Sequence, residues 1–252
     1  MPWWSDRRAP ALLLAFAAVP AAAQTAETVE GLGPADGEWE LEYVGQFGGA
    51  NGSADKRQHS GQSFRGVTDW LALGGETQLS YRSGPLVRED RLYFDYDSAI
   101  AIFRFSDAQR DPVGLGLWVQ AGLDASDGEL ARIEARLIAE KQTPRWSGQA
   151  NLMLRRVNEG RREGTAAAYA VRLSHAVGVS TWVGVEASGQ AAELGGFHRR
   201  SLDRGQYAGP RVMQQIAIGR GNRLQVGVTY LRRLDDHRGL RNLLQVSGSA
   251  RF

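Results

Sequence analysis

From Glu38 to the last residue the chain alternates apolar with polar side chains at a period of two, and few folds can use such a pattern throughout. Successive side chains of a strand point to opposite faces, so a two-faced wall appears as every-other-residue hydrophobicity. Trp39, Leu41, Tyr43, Gly45 and Phe47 alternate with Glu38, Glu40, Glu42, Val44 and Gln46. Leu71, Leu73, Leu79 and Tyr81 oppose Glu76, Gln78, Ser80 and Arg82. Val113, Leu115, Leu117, Val119 and Ala121 face away from a set that is mostly glycine with Gln120. Ala131, Ile133, Ala135, Leu137 and Ala139 oppose Arg132, Glu134, Arg136 and Glu140. The pattern continues with Trp146, Gly148, Ala150, Leu152 and Leu154 against Ser147, Gln149, Asn151 and Arg155. Tyr169, Val171 and Leu173 then oppose Arg172 and Ser174, and Val183, Val185 and Ala187 oppose Glu186, Ser188 and Gln190. Leu224, Val226, Val228 and Tyr230 oppose Arg223, Gln225 and Thr229.

Leu130 to Gln142 also has helical propensity, and Arg132, Arg136 and Glu140 form an i, i+4 row. Strand is preferred because its odd positions are apolar in succession and its neighbours share the period. Three segments alternate weakly: 59–69, 91–105 and 206–218. The second changes parity near Ser98, as a β-bulge would make it do. The count is about 12 strands, give or take two, an even number as a single-chain bacterial barrel requires. Connections alternate in length. Residues 48–58, 83–90, 158–164, 192–205 and 232–241 are longer and polar. Asp69-Trp70, Thr143-Pro144, Val177-Gly178 and 219–222 are tight. The expected fold is all-β: a single closed antiparallel up-and-down transmembrane β-barrel over residues 38–252, with the tight turns at the end that holds both termini.

Arg7 and Arg8 precede an apolar run from Ala9 to Val19, and Ala21-Ala22-Ala23 offers small residues around a cleavable bond. That is the form of a secretory signal over residues 1–23; the run is too short for the roughly 20 residues of a spanning helix. Residues 24–37 read as a flexible acidic lead-in. Cysteine is absent, which excludes disulfides, thiol catalysis and Cys-based metal sites. The near-balanced charge shows no basic stripe, so nucleic acid is not an expected partner.

The last strand places Leu244, Val246, Gly248, Ala250 and Phe252 on one face and Gln245, Ser247, Ser249 and Arg251 on the other. This closing pattern resembles the C-terminal insertion signal of Gram-negative outer-membrane proteins. The resemblance implies the bacterial outer membrane as location and the barrel-assembly machinery as a partner through Phe252. The stretches 111–124 and 138–156 resemble small uncharacterised alphaproteobacterial outer-membrane proteins, which implies no substrate. Trp39, Trp70, Trp146 and Phe252 at one end, and Phe47, Tyr81 and Tyr230 at the other, are candidates for two membrane girdles.

The opposite face supplies candidate lumen-lining residues: Glu38, Glu40, Glu42, Glu76, Arg82, Arg132, Glu134, Arg136, Arg155, Arg172, Glu186, Arg211, Arg223 and Arg251. They are either a charged constriction that selects solutes or a set of pairs that satisfies a narrow lumen. Arg251 is expected to pair with Glu38 or Glu40 at the closing seam. Three functions follow: a channel or transporter for small solutes, a plugged structural or surface-interaction barrel, and a lipid-modifying enzyme. The third lacks support in sequence. His59 adjoins Ser60 and His175 adjoins Ser174, but strand neighbours point to opposite faces. His59, His198, His237 and Asp235 or Asp236 have no metal-ligand spacing, Gly48-Gly49-Ala50-Asn51-Gly52 has no phosphate-loop continuation, and no cofactor is expected. Outer-membrane lipid and lipopolysaccharide phosphates are the expected partners of Arg155-Arg156, Arg161-Arg162, Arg199-Arg200 and Arg232-Arg233, with simple solubility as the competing account.

Overall fold

In the computed structural model the chain forms twelve strands in one closed antiparallel barrel. The structure describes residues 26–49, 55–83, 91–124, 128–159, 162–195, 205–219, 221–235 and 241–252. The strands are β1 (Trp39–Gly49), β2 (Asp55–Thr68), β3 (Leu71–Ser83), β4 (Arg91–Arg104), β5 (Gly114–Asp124), β6 (Leu130–Gln142), β7 (Trp146–Glu159), β8 (Arg162–Ala176), β9 (Thr181–Gly195), β10 (Gln206–Ala217), β11 (Arg223–Arg233) and β12 (Asn242–Arg251). Each pairs with its sequence neighbour, and β12 returns to β1 with Glu40 opposite Arg251 and Gly49 opposite Asn242. The seam runs to the end of the chain: Trp39 N donates to Phe252 O at 2.7 Å and Phe252 N to Trp39 O at 3.0 Å. Closure leaves no unpaired edge.

Alternation dictates what faces where. On β5 every even residue from Gly114 to Gly122 is buried, while Leu115, Ala121 and Leu123 are exposed. The same inversion recurs on other strands. Ile133, Leu137, Leu152, Leu154, Val171 and Val185 are exposed. Gln46, Gln120, Glu134, Asn151, Glu186 and Gln245 are among the most buried side chains. The parity change expected near Ser98 lies three residues earlier. Gln78 opposes Tyr96 and Leu79 opposes Phe94, so Asp95 is the extra residue of a bulge. Its carboxylate turns inward, where Gln78 Nε2 donates to it at 3.0 Å and Ser80 Oγ also donates.

The lead-in is not loose where it is described. Residues 26–35 run inside the barrel, and Ala26, Val29 and Leu32 are at most 6% exposed. These three apolar residues recur at every third position, and each enters a different apolar cluster of the wall. Leu32 joins Phe64, Ile102, Trp118 and Ile138; Val29 joins Met153, Ala168 and Ala170; Ala26 joins Tyr207, Leu231 and Leu243. The expectation failed because a segment enclosed by walls on all sides has no two-faced pattern to display.

The leader expected over residues 1–23 lies outside the described residues, as do Gln24, Thr25, His198 and His237. Apart from Arg220, the tight turns at the terminal end are described; most of the opposite loops are not.

Candidate functional site

The inner wall holds the N-terminal segment by a ladder made of side chains. Gln46 Nε2 donates to Ala26 O at 2.8 Å, and Arg136 Nη1 donates to Thr28 O at 3.0 Å. Asn151, fully buried, accepts from Glu30 N at 2.7 Å and donates to Glu30 O at 3.0 Å. Glu140 accepts from Leu32 N, and Arg104 Nε donates to Leu32 O at 3.0 Å. Ala26, Thr28, Glu30 and Leu32 are thus each bound to the wall through the backbone, where buried peptide groups need partners.

Glu134 is the centre of the larger charge cluster. Its side chain is fully buried and accepts from Arg132 Nη2 and Arg155 Nε, both at 2.5 Å, and from Arg136 Nε at 3.0 Å. Arg155 also pairs with Glu27, and Arg136 stands 3.7 Å from Glu30. The segment therefore completes the cluster with two carboxylates. Arg132 reaches Tyr96 Oη at 2.9 Å. Gln120 Nε2 bonds Glu76 Oε2 at 2.5 Å and Ser98 Oγ at 2.8 Å.

A second cluster lies across the lumen. Glu186, also fully buried, takes Arg172 Nε at 3.0 Å and Arg211 Nη1 at 3.3 Å. Arg211 further meets Thr229 and Ser247, and Arg172 meets Gln149. At the seam Arg251 Nη2 lies 2.7 Å from Glu40 Oε2, so the expected closing pair forms with Glu40. Glu38 sits at the terminal mouth and caps Ala35 N at 3.0 Å, while Arg223 is exposed at the same mouth.

The segment divides the remaining space. A cavity of about 220 Å³, bounded by residues 28–33 of the segment, is lined by β1, by Glu140 and Gln149 of β6 and β7, and by β8–β12. Its lining carries Glu30, Glu40, Glu42 and Glu140 together with Arg172, Arg211, Arg223 and Arg251, with Glu40 and Arg251 paired at the seam. A smaller space of about 50 Å³ lies between the segment, Glu76, Tyr96, Gln120 and Arg132.

Of the residues singled out in sequence, Arg82 falls in β3, but its side chain is outside the described set. The roles of Glu27, Glu30, Tyr96, Asn151 and Trp118 were missed. The first two lie in the segment with no strand period; the others are inward positions whose uncharged side chains gave no reason to be marked. Arg155, a lumen-lining candidate, turns inward to Glu134, and Arg233, expected to meet lipopolysaccharide, turns inward to Asp235. Arg156 and Arg232 take the outward positions beside them. Ser60 and Ser174 are buried and inward. His59 faces outward to Tyr43 Oη at 2.7 Å, and His175 packs outward on Trp146 at 4.5 Å between ring centroids. No Ser–His contact forms at either place.

The aromatic candidates lie on the outer surface in two groups. Trp39, Trp70, Trp146 and Phe252 are exposed near the terminal end, with Arg65 over the Trp39 ring. Tyr230 is exposed and Phe47 half-buried toward the other end, where Tyr81 carries Arg57 over its ring.

A twelve-stranded closed barrel with an apolar outside and a charged inside is the architecture of outer-membrane barrels, and solved structures of that class match this chain. An outer-membrane channel from Pseudomonas putida F1 superposes over 87% of this chain and 96% of its own, with a TM-score of 0.59 at 14% identity. The NanC porin gives 0.52 at 8% identity, over 83% of this chain and 98% of its own. The KdgM porin, solved with disordered oligogalacturonate, gives 0.50 at 8% identity, over 83% and 97%. At these identities the likeness shows the fold. By sequence the chain matches no family model and no curated protein.

Proposed function

We propose that the protein is an outer-membrane channel for small hydrophilic solutes, with its own N-terminal segment as the element that narrows the pathway. The observation that carries this is the charged cavity of about 220 Å³ inside a closed wall whose outside is apolar. A soluble monomer rarely exposes contiguous apolar patches beyond a few hundred Å², whereas here most strands present Leu, Ile or Val outward. Strands of 10 to 15 residues are long enough for a tilted strand, which needs roughly 9–11, to cross an apolar band about 25 Å tall. Closed barrels and helices alone satisfy every backbone group in lipid. The two aromatic groups fit the interfaces of such a band.

The same reading makes residues 1–23 the export signal and outward Phe252 the contact for the assembly machinery. Outward Arg156 and Arg232, close to the loop end, face the lipopolysaccharide phosphates. A second reading, a plugged barrel acting through its loops, is favoured by the three apolar anchors and the ion pairs that hold the segment.

The test is single-channel conductance of the refolded mature chain in a planar bilayer, with and without residues 24–35. Discrete steps that grow on removal of the segment support the channel. A folded barrel silent in both forms sinks it and favours the second reading.

A further inference from the structure

The outward positions of β2, β3 and β4 differ from the rest of the wall. Mid-strand positions elsewhere are aliphatic and exposed, such as Ile133 and Leu137 on β6, Leu152 and Leu154 on β7, and Val183 and Val185 on β9. On β2–β4 the corresponding positions hold Gly61, Ser63, Gly75, Thr77, Asp97 and Ala99. Register makes them one contiguous patch: Gly61 opposes Thr77, which opposes Asp97, and Ser63 opposes Gly75, which opposes Ala99. Thr77 Oγ1 donates to Asp97 Oδ1 at 2.6 Å, and the carboxylate is otherwise exposed. Asp97 is not at a rim, because Phe94 and Leu92 on its loop side are 54% and 63% exposed and Phe103 follows on the other side.

The barrel itself does not call for these small residues. A Cβ at position 61 would meet nothing within 4 Å, and one at 75 would touch only Ser98 O at 3.1 Å. Neither glycine has a positive φ. Hydrocarbon offers a carboxylate and hydroxyls no hydrogen-bond partner, so polar groups in the apolar band mark contacts with protein. Small residues let two backbones approach closely there.

We propose that this face is the contact between two copies of the chain, side by side in one orientation, related by a two-fold axis parallel to the barrel axis near β3. Charge complementarity favours a second copy over another occupant. A two-fold at β3 sets β4 of one copy against β2 of the other. The hydrogen-bonded row climbs away from the terminal end as it passes around the wall, from Glu40 near the start of β1, through Phe64, Gly74, Ile100, Gln120, Glu134, Arg155 and Ala166, to Glu193 near the end of β9. Asp97 is thereby raised above Gly61 to the level of His59 and Arg57, which face outward on β2. Each copy thus offers a carboxylate at β4 and an imidazole and guanidinium at β2, and the two-fold joins them twice.

The inference rests on the membrane-spanning reading but not on solute passage. Because the chain has no cysteine, single-cysteine variants report the contact directly. Thr77→Cys, close to the axis, is refolded into lipid vesicles and oxidised with copper phenanthroline, beside Val185→Cys on the far wall. A disulfide needs Cα atoms within about 7 Å, so only the first is expected to run as a dimer. Adding Asp97→Arg should cut its cross-linking several-fold, and Arg57→Asp on top should restore it. Cross-linking of Thr77→Cys no stronger than that of Val185→Cys, or untouched by Asp97→Arg, overturns the contact. Heat-modifiable migration of the same samples separates the two ideas. An inserted but uncross-linked barrel defeats the contact alone, whereas a wild-type chain that never inserts defeats the membrane reading with it.

Discussion

Glu134 carries more of the interior than any other side chain, since three guanidiniums meet on one fully buried carboxylate. Each of those arginines is costly to bury alone, and removing the shared partner leaves them facing one another. Breaking a buried ion pair costs about 3–5 kcal/mol. Arg132 and Arg155 retain slight exposure, and Glu27 and Glu30 remain, so Glu134→Gln is expected to destabilise the barrel by about 3 kcal/mol, the low end of that range. A urea midpoint in detergent or vesicles measures it, and an unchanged midpoint would mean that the cluster is already hydrated. The seam pair is a contrast of the same chemistry in a wetter place, with the Arg251 side chain 39% exposed. Glu40→Gln should cost under about 1 kcal/mol, as partly exposed pairs do. If it proves as damaging as Glu134→Gln, closure depends on that salt bridge and not on the backbone ladder between β1 and β12.

At the scale of elements, the N-terminal segment is held at its entry by a position with no room for a side chain. A Cβ on Gly66 would lie 1.8 Å from Ala35 O and 3.0 Å from Asp36 N, all of its nearest neighbours being backbone of the segment. Gly66→Val should therefore push the segment from the terminal mouth while sparing the β2 pairings. The expected result is larger single-channel steps, approaching those of the chain lacking residues 24–35. A valine variant with wild-type conductance would show that the segment does not set the bore. The sequence disclosed this element poorly for a physical reason. Strands advertise themselves through two faces, but Ala26, Val29 and Leu32 enter three separate clusters, and the residues between them are bound through their backbones. The strands themselves were legible, including the even count and the bulge in β4, displaced from Ser98 to Asp95. The weak alternation over 59–69 also has its cause: the outward residues of β2 include His59, Gly61, Ser63 and Arg65, which blur the apolar face.

For the whole molecule, period two divided the charges from the aliphatic residues but did not say which charges would meet. Glu134 finds Arg155 through the β6–β7 register and Arg172 finds Glu186 through β8–β9, and register depends on turns and bulges that alternation does not encode. The resulting cavity carries both signs around its lining, with Glu30, Glu40, Glu42 and Glu140 beside Arg172, Arg211, Arg223 and Arg251. Four of each sign leave no net excess, so the pathway should pass cations and anions with little preference. Removing one charge of either sign tips that balance. Glu42→Gln leaves positive charge in excess and should move the reversal potential under a KCl gradient toward anion preference by several millivolts. Arg223→Gln, at the exposed mouth, should move it the opposite way, and by less, because salt screens exposed charges. Shifts of the same sign, or none from either variant, would place the conducting path away from this cavity and remove the charged wall from the account of selectivity.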